Sequence, residues 1–369
     1  MAAEEGIVLF YPHVPRKAKE YVSDTLDGRW IGQGPKVEQF EPAFRSRFGL
    51  EGPCVAVGSG TDALHLAFLL AGIKRGDEVL TPVFTCAATN IPLLYIGADI
   101  RFVDIDPGTL NISVADLRSK ISARTKAIVC VHYGGLPCDM EAIRAIAAEH
   151  SIPVIEDAAQ ALGASYDGES IGKSSDFAAF SFQAIKQLTT GNGGMIVFRD
   201  QALEEKAKRL RWFGIDRVRK QKGIWGNDLT EIGYKYDMTD VQAAIGLAGL
   251  EEFDEIAALR RSLYRRYVER LRGLSHVRIV DDFDPRKGHA VWLITVAVEH
   301  RMQCQLKLRS RRIESGQVHF RNDRYSIFAT KDEFPGMDSI DDNYLVLPLH
   351  TKMSLADVEL ICDVLKEGW

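Results

Sequence analysis

The sequence has no apolar run long enough to cross a membrane. A transmembrane helix needs about 20 consecutive, mainly apolar residues, and no such run occurs here. The first residues, MAAEEGIVLFYPHVPRK, lack the basic start and the apolar core of a signal peptide. We therefore expect a cytoplasmic protein without a membrane partner.

The sequence also lacks an excess of basic residues. Its 46 lysines and arginines are outnumbered by 51 aspartates and glutamates, which gives a net charge of −5. Binding of nucleic acid depends on a concentrated basic surface, so we expect no nucleic-acid partner. One local exception is RLRWFGIDRVRKQK, residues 209–222. Such a run is most often solvated surface, and the alternative is that it binds an anionic substrate or a partner subunit.

Cysteine is scarce, and its spacing does not match a metal site. The six cysteines are scattered along the chain at Cys54, Cys86, Cys130, Cys138, Cys304 and Cys362. In a chain of this size, such a pattern is typical of reduced thiols. We expect no disulfide framework and no bound metal.

The chain has 369 residues, of which 46% are hydrophobic, so it can bury a large core. The order of its apolar runs predicts an α/β fold. Seven short β-branched runs alternate with helical segments or loops between about residues 53 and 200: CVAV, EVLTP, IRFVDI, KAIVCVH, PVIED, FAAFSF and GGMIVF. This alternation predicts a mostly parallel sheet between helices. Such sheets bind ligands beyond the carboxyl ends of their strands.

A long helix is predicted to begin after Thr239, because Thr239 and Gln242 have capping-box spacing. It carries the chain out of the large domain, which we place at residues 1–250. The runs HVRIV, AVWLITVAVE and YLVLPL, with the helical segment SLADVELICDVLKEG, predict a smaller α/β domain at residues 251–369. The segment RKGH, residues 286–289, is expected to be a surface loop.

The segment GSGTDALHLA, residues 58–67, is a candidate phosphate site. Its Ser59, Gly60 and Thr61 precede an apolar-periodic helix, and backbone N–H groups at a helix N-terminus favour an anion. Taken alone, the pattern is more often an ordinary helix N-cap. Its spacing does not match the G-x-G-x-x-G of a dinucleotide site.

Two further candidate site residues lie at the end of the run PVIED and just after it. Asp157 closes that run and Gln160 lies three residues on. A carboxylate in this position is a helix cap, a metal ligand, or the partner of a protonated ring nitrogen in a cofactor such as pyridoxal phosphate. In the last case, Gln160 can donate to the ring oxygen of the cofactor.

Lys186 lies in SFQAIKQLTTGNGG, residues 181–194, between two of the predicted strands. A lone loop lysine is usually solvated. Beside Asp157 and the candidate phosphate site, however, a lysine here favours a Schiff base with pyridoxal phosphate. The hydroxyl of Ser181 can supplement the phosphate site.

The ordered motifs GSGTDAL, TPVFTCAATN, DIDPGTLNI, VHYGGLPCDM, EDAAQALGA, SFQAIKQLTTGNGG and GYKYDMTDVQAAIG resemble those of the DegT/DnrJ/EryC1/StrS family of sugar aminotransferases. The resemblance is strong over about residues 10–260. It implies the fold-type I aminotransferase fold, pyridoxal 5'-phosphate, and a homodimer with shared active sites. It also implies that Lys186 is the Schiff-base lysine, Asp157 the pyridine partner and Gln160 the ring-oxygen contact, with phosphate contacts from Ser59, Gly60, Thr61 and Ser181.

The sequence departs from the family pattern at two positions. Where many members stack an aromatic residue on the cofactor ring, this chain has Cys86, so either the thiol packs against the ring or Phe84 is repositioned. Where many place an asparagine from the partner subunit at the phosphate, this chain has Lys235, which we expect to bind the phosphate of the partner's cofactor as a mobile point charge. Phe84 and His319 are further candidates for substrate contact, and for His319 a packed or exposed histidine is the alternative.

The expected function is transfer of an amino group from an amino acid, L-glutamate by resemblance, to a nucleotide-linked ketosugar. The expected acceptor is C4 of a 4-keto-6-deoxyhexose, with C3 open, for amino-sugar and surface-polysaccharide (O-antigen) biosynthesis. One alternative is a dehydratase or lyase on the same fold, but its known branch has histidine where Lys186 stands. The other is a regulatory protein that keeps the fold without activity.

Overall fold

The computed structural model describes residues 6–217, 219, 223–226, 228–328 and 330–369. All seven predicted runs form strands of one sheet, in the order β1-β10-β9-β6-β5-β2-β4. Their bounds are Cys54–Val57 (β1), Glu78–Pro82 (β2), Asp99–Val103 (β4), Thr125–Val131 (β5), Val154–Asp157 (β6), Phe177–Ser181 (β9) and Gly194–Phe198 (β10). Strand β10 runs antiparallel to its two neighbours, β1 and β9, and the other neighbouring strands of this sheet are parallel to each other. The predicted mostly parallel sheet is confirmed.

Helices cover both faces of this sheet, because the strand side chains are apolar on both sides. One face packs against Pro35–Arg47 (α2), Val114–Lys120 (α5), Met140–His150 (α6) and part of Asp240–Leu271 (α8). The other packs against Gly60–Leu70 (α3), Ala87–Ile96 (α4) and Glu204–Arg211 (α7). Ala18–Leu26 (α1) lies against α8.

Helix α8 begins where the sequence predicts. The Thr239 side chain accepts from the Gln242 N–H at 3.2 Å, and the Gln242 side chain accepts from the Thr239 N–H at 2.9 Å. The capping box is therefore confirmed. The helix runs across residue 250, so the division into residues 1–250 and 251–369 stays a prediction.

The C-terminal part forms a second, smaller sheet, in the order β11-β13-β15. Its strands are Val277–Ile279 (β11), Ile294–Val298 (β13) and Tyr344–Leu347 (β15). Arg301–Ser310 (α9) and Leu355–Glu367 (α11) pack with it and with the end of α8 around a common apolar core, and the short helix Pro335–Asp338 (α10) lies nearby.

The predicted surface loop at residues 286–289 is wrong. Lys287 and Gly288 form strand β12, which pairs with β7 (Ser165–Tyr166), itself paired with β8 (Glu169–Ser170). The alternation of a two-residue strand is too short to detect in a sequence. The contact ties the chain after α8 to the turn that follows β6.

A second short pairing brings the C-terminal part to the main sheet. Strand β14 (Phe320–Arg321) pairs antiparallel with β3 (Phe84–Thr85), which directly follows β2. Among the residues that the structure describes, no helix is both long enough and apolar enough to span a bilayer.

Candidate active site

The carboxyl ends of three parallel strands place the predicted residues at one edge of the sheet. Val57 ends β1, Ser181 ends β9, and Gly194 of β10 pairs with both. Asp157 ends β6 and pairs with Ala179 of β9. The segments that follow these strands therefore open into one crevice, as expected for a sheet of this kind.

The N-terminus of α3 lies against Ser181. Ser59 caps the helix and accepts from the Asp62 N–H at 3.0 Å. A Cβ at Gly60 would lie 2.8 Å from the Cβ of Ser181, so only glycine lets the helix end approach this closely. The first N–H groups of a helix, here those of Gly60 and Thr61, have no partner within the helix. Together with the hydroxyls of Thr61 and Ser181, they form a cradle suited to a phosphate.

Asp157 is buried, with 4% of its surface exposed. Its Oδ2 accepts from the Thr89 hydroxyl at 2.7 Å, and its Oδ1 accepts from the Ala159 N–H at 3.1 Å. Burial raises the pKa of Asp157, while these two bonds and the nearby Lys186 oppose the rise. The carboxyl group is thus held in place by neutral donors, and it can still receive a proton-bearing nitrogen.

Lys186 lies in the loop between β9 and β10, which is closed by bonds from the Phe182 N–H to the Gly193 carbonyl at 2.8 Å and from the Thr190 N–H to the Phe182 carbonyl at 2.9 Å. Its Nζ lies 3.6 Å from the centre of the Trp292 ring. Burial lowers the pKa of Lys186 to about 8, although Asp157 and Cys86 oppose the shift. The neutral amine, which is the nucleophilic form, is therefore much more populated near neutral pH than it would be at the ordinary pKa of 10.5.

Gln160 is held by three contacts. Its Oε1 accepts from the Gly134 N–H at 2.7 Å, and its Nε2 lies 3.1 Å from Nε2 of His319. Its backbone carbonyl accepts from the Gln187 side chain at 2.8 Å. Gly134 has a positive φ of 63°, which favours glycine in the turn that presents this N–H.

Cys86 and Phe84 lie in different environments. Cys86 is exposed at the N-terminus of α4, close enough to Lys186 to affect its pKa. Phe84 is buried against Tyr133 and Tyr344, with ring centres 5.3 and 5.0 Å away. Of the two, Cys86 is therefore the one that can reach a ligand above the sheet edge.

Lys235 lies on the surface, with 53% of its side chain exposed. It forms an ion pair with Asp237, and its Nζ lies 3.9 Å from the centre of the Trp212 ring. Neither of these contacts is with another predicted site residue. Its predicted contact with a phosphate bound by a partner subunit stays a prediction.

The basic run at residues 209–222 lies partly outside the described residues. In its described part, Arg211 is buried and bonds to Glu41 at 2.7 Å and to the Ala56 carbonyl at 2.8 Å. Arg209 pairs with Glu231 at 2.8 Å. The expectation of a solvated surface is therefore wrong for the buried Arg211, whereas the side chain of Arg209 is 36% exposed.

Sequence reasoning missed two residues of this site. Trp292, beneath the Lys186 amine, belongs to a run read only as a strand, and it lies 106 positions from the lysine. Thr89, which donates to Asp157, belongs to a motif quoted only for the family resemblance. The indole N–H of Trp292 donates to the Ile185 carbonyl at 3.0 Å, but no spacing in the sequence predicts that contact.

The donor set fits pyridoxal phosphate. Three groups meet at one sheet edge: a lysine with a lowered pKa, a buried carboxylate, and a helix N-terminus that begins with glycine. They suit the aldehyde, the pyridine nitrogen and the phosphate of the cofactor, respectively. His319 adds a buried imidazole beside the amine, with its ring centre 5.9 Å from that of Trp292.

Comparison with known proteins gives the same result. Residues 13–366 match the model of the DegT/DnrJ/EryC1/StrS aminotransferase family. The GDP-perosamine synthase of Escherichia coli O157:H7 is 35% identical over 98% of both chains. The crystal structure of the sugar aminotransferase CalS13 from Micromonospora echinospora has a TM-score of 0.92 and 34% identity, covering 98% of this chain and 99% of that one.

A putative sugar aminotransferase of Streptococcus pneumoniae, Spr1654, has been solved in a PLP-form; it has a TM-score of 0.92 and 25% identity over 98% of both chains. The fold, the donor set and these similarities agree. The chain therefore belongs to the DegT/DnrJ/EryC1/StrS aminotransferase family and is a pyridoxal-phosphate-dependent sugar aminotransferase.

Proposed function

We propose that this enzyme moves the amino group of L-glutamate to C4 of a nucleotide-linked 4-keto-6-deoxyhexose. The observation that carries the proposal is the Lys186 amine, whose pKa lies near 8 and which lies within electrostatic reach of the buried Asp157. Of GDP, UDP and dTDP, GDP is the first carrier to test, because a relative is named GDP-perosamine synthase. Amination at C3 is the nearest variant of the same reaction.

When bound, pyridoxal phosphate supplies a carbonyl that holds amines covalently and a ring that takes up electrons from the reacting carbon. Asp157 holds the proton of the ring nitrogen, which keeps the ring electron-poor. Ser59, Gly60, Thr61 and Ser181 hold the phosphate, and Gln160 donates to the ring oxygen. Cys86, exposed at the N-terminus of α4, would be the side chain available to pack against the ring.

Lys186 has two tasks in this proposal. It would be the attachment point of the cofactor, and as a free neutral amine it would take the proton from the α-carbon of the amino donor. In the second half of the reaction the same amine returns a proton to the sugar carbon. A pKa near 8 suits both directions, because base and acid forms are then both populated at neutral pH.

Aromatic side chains exclude water from one side of the amine. Trp292 is 1% exposed and lies directly beneath the Lys186 Nζ. Tyr133 and Phe84 are also buried and continue this wall towards His319. A dry wall favours the neutral amine, and it protects the bound donor from competing hydrolysis.

The proposal includes a cytoplasmic homodimer in which Lys235 of each subunit meets the phosphate bound by the other. Its support is a set of exposed apolar side chains that includes Trp225 (73% exposed), Leu229 (59%) and Ile232 (81%), close in sequence to Lys235. Sedimentation of the purified protein measures the assembly, and Lys235→Ala should lower the affinity for pyridoxal phosphate. A monomer with full activity would contradict this part of the proposal.

The test is a two-step assay of the purified holoenzyme. With glutamate alone it should release 2-oxoglutarate stoichiometrically. With a panel of GDP-, UDP- and dTDP-linked 4-keto and 3-keto sugars, it should turn over with ping-pong kinetics. Absence of the glutamate half-reaction, with loss of water from the sugar instead, would favour the dehydratase.

Borohydride reduction followed by peptide mapping tests the role of Lys186 directly. The cofactor mass should appear on the peptide that contains Lys186. Lys186→Ala should abolish turnover, while the matched surface variant Lys173→Ala should keep it, since Lys173 forms ion pairs with Glu51 and Glu169, outside the candidate site. Label on another lysine would refute the assignment.

A further inference from the structure

The imidazole of His319 is buried in the candidate site, although nothing in the proposed reaction requires its chemistry. It is 9% exposed. Its ring centre lies 5.9 Å from Trp292, 6.0 Å from Tyr133 and 6.4 Å from Phe84. Apart from Gln160 and the nearby charge of Lys186, its neighbours are therefore aromatic. Such a group acts through hydrogen bonds of fixed direction.

The direction of the bond between Gln160 and His319 follows from the other side of the amide. The Gly134 N–H can only donate, so the atom of Gln160 that lies 2.7 Å from it is the amide oxygen. The amide nitrogen consequently faces His319, at 3.1 Å from Nε2. Because an amide nitrogen only donates, Nε2 of His319 must accept, and it carries no proton.

The electrostatic surroundings agree with this neutral tautomer. Burial, helped by the charge of Lys186, lowers the pKa of His319 to about 3, while a backbone hydrogen bond at Val318 opposes the shift. The imidazole is therefore neutral at physiological pH. It offers an acceptor without adding charge next to the amine, whereas a carboxylate at this position would raise the pKa of Lys186.

One N–H of the Gln160 amide is donated to His319, and the amide has a second. Because the amide is planar, the bonds at Gly134 and His319 together fix the direction of that second N–H. Without an acceptor at position 319 the amide can turn about its terminal bond, since only the oxygen would remain held. The orientation of Gln160 thus depends on His319.

We propose that His319 is a positioning residue, which holds the Gln160 amide so that its second N–H is donated to the ring oxygen of pyridoxal phosphate. The inference rests on the proposed function, in which Gln160 contacts that oxygen. It assigns to His319 a role through the cofactor, in place of a direct contact with the sugar.

The readout is the pH midpoint at which the visible absorbance of the bound cofactor changes. That change follows the loss of the proton shared between the Lys186 nitrogen and the ring oxygen. A donated N–H stabilises the negative oxygen most once the proton has left, so it lowers the midpoint. Loss of the donor should raise the midpoint by about one pH unit, as expected for one hydrogen bond to a charged group.

The variants separate the two ring nitrogens. His319→Asn keeps a polar group near Val318 but is too short to accept from Gln160, and His319→Leu removes both bonds. Both should raise the midpoint by about one unit. His319→Gln can place an oxygen near the position of Nε2 and should restore the wild-type midpoint. The neighbouring, partly exposed Phe320 gives a control, Phe320→Leu, which should leave the midpoint unchanged.

A double-variant cycle in holoenzyme completes the test. In a Gln160→Met background, where the donor is already gone, His319→Asn should add no further shift. An equal shift in both backgrounds, or a wild-type midpoint in His319→Asn, would overturn the inference; His319→Asn decides if His319→Leu does not fold. A wild-type holoenzyme without lysine-bound absorbance or the glutamate half-reaction would instead refute the proposed function.

Discussion

Two neighbouring carboxylates at the end of β6 lie in opposite environments. Glu156 faces the layer of α6, where it contacts His132 at 3.1 Å, Arg144 at 3.3 Å and the Gly172 N–H at 3.2 Å. Asp157 faces the layer of α4, and its protein donors are one hydroxyl and one N–H. Successive residues of a strand point to opposite faces, which explains how one strand end can serve two purposes.

The difference lies in how completely each carboxylate is satisfied. Glu156 is fully buried, and it has a cation and two further donors around it, so its charge is already balanced and it has less accepting capacity left than Asp157. Asp157 has the charge of Lys186 nearby, but among the described residues no cation forms an ion pair with it. A buried carboxylate with fixed position and spare accepting capacity is suited to hold a ligand's proton.

The strongest way to break this comparison is Asp157→Asn. The amide oxygen can accept from the Ala159 N–H, and the amide nitrogen can donate to the Thr89 hydroxyl, which can itself donate to Thr85, so folding should be nearly unchanged. It cannot keep the ring nitrogen protonated, and kcat should fall by about 10³-fold, which is about 4 kcal/mol of barrier. Steady-state kinetics of the holoenzyme measure this, with cofactor occupancy checked by absorbance. A near-normal kcat would show that another group is the pyridine partner.

The matched change, Glu156→Gln, should have the opposite effect. It leaves Arg144 and the ring of His132 without their buried anionic partner, and the free energy of unfolding should fall by about 3 kcal/mol. Turnover per folded molecule should stay within about threefold of wild type. Urea unfolding and active-site titration measure the two quantities. A stable but inactive Glu156→Gln protein would remove the distinction between the two carboxylates.

A third test uses the pH at which Lys186 reacts with a small amine-directed reagent in cofactor-free protein. Because burial lowers its pKa to about 8, labelling should rise with a midpoint near pH 8 and not near the ordinary value of 10.5. Asp157 raises the pKa of Lys186, so the midpoint should fall in Asp157→Asn. Glu156→Gln should leave it unchanged. Peptide mass spectrometry follows the label, and a midpoint near 10.5 would show a solvated amine.

The sequence predicts the first layer of this site better than the second. Ser59, Asp157 and Lys186 each follow a strand whose apolar run is visible, and the carboxyl ends of parallel strands share one edge. All seven strands of the large sheet and the capped start of α8 were predictable for the same reason: their patterns are local.

The second layer depends on contacts between distant segments. Trp292 reaches Lys186 because the backbone N–H groups of Trp292 and Leu293 donate to the Gly134 carbonyl, at 2.8 and 3.0 Å. Val291, the residue before Trp292, has a positive φ of 55°. A β-branched residue is rarely found in that conformation. A run that reads as a strand therefore bends, and no periodic pattern shows it.

Thr89 is a residue of this second layer, and it gives the smallest and most specific test. Its hydroxyl donates to Asp157 at 2.7 Å and contacts the Thr85 hydroxyl at 2.7 Å. Burial raises the pKa of Asp157 above 3.8, and the Thr89 bond opposes that rise. Thr89→Val should therefore raise the pKa further.

The sign of the effect on stability follows. Between pH 3.8 and the raised pKa, the folded protein holds more protons on Asp157 than the unfolded chain does, so this group lowers stability as pH rises through that window. Thr89→Val widens the window, and its destabilisation of the cofactor-free protein should grow by about 1.5 kcal/mol between acid pH and pH 8, in addition to a pH-independent cost from the lost contact with Thr85. Urea unfolding at several pH values measures this destabilisation.

Thr81→Val is the matched control, since the buried Thr81 donates to the neutral Asn90 at 2.7 Å, and its cost in unfolding free energy should not depend on pH. If the two variants have the same pH profile, Thr89 does not act through the charge of Asp157, and the contrast with Glu156 rests on fewer groups than the geometry indicates.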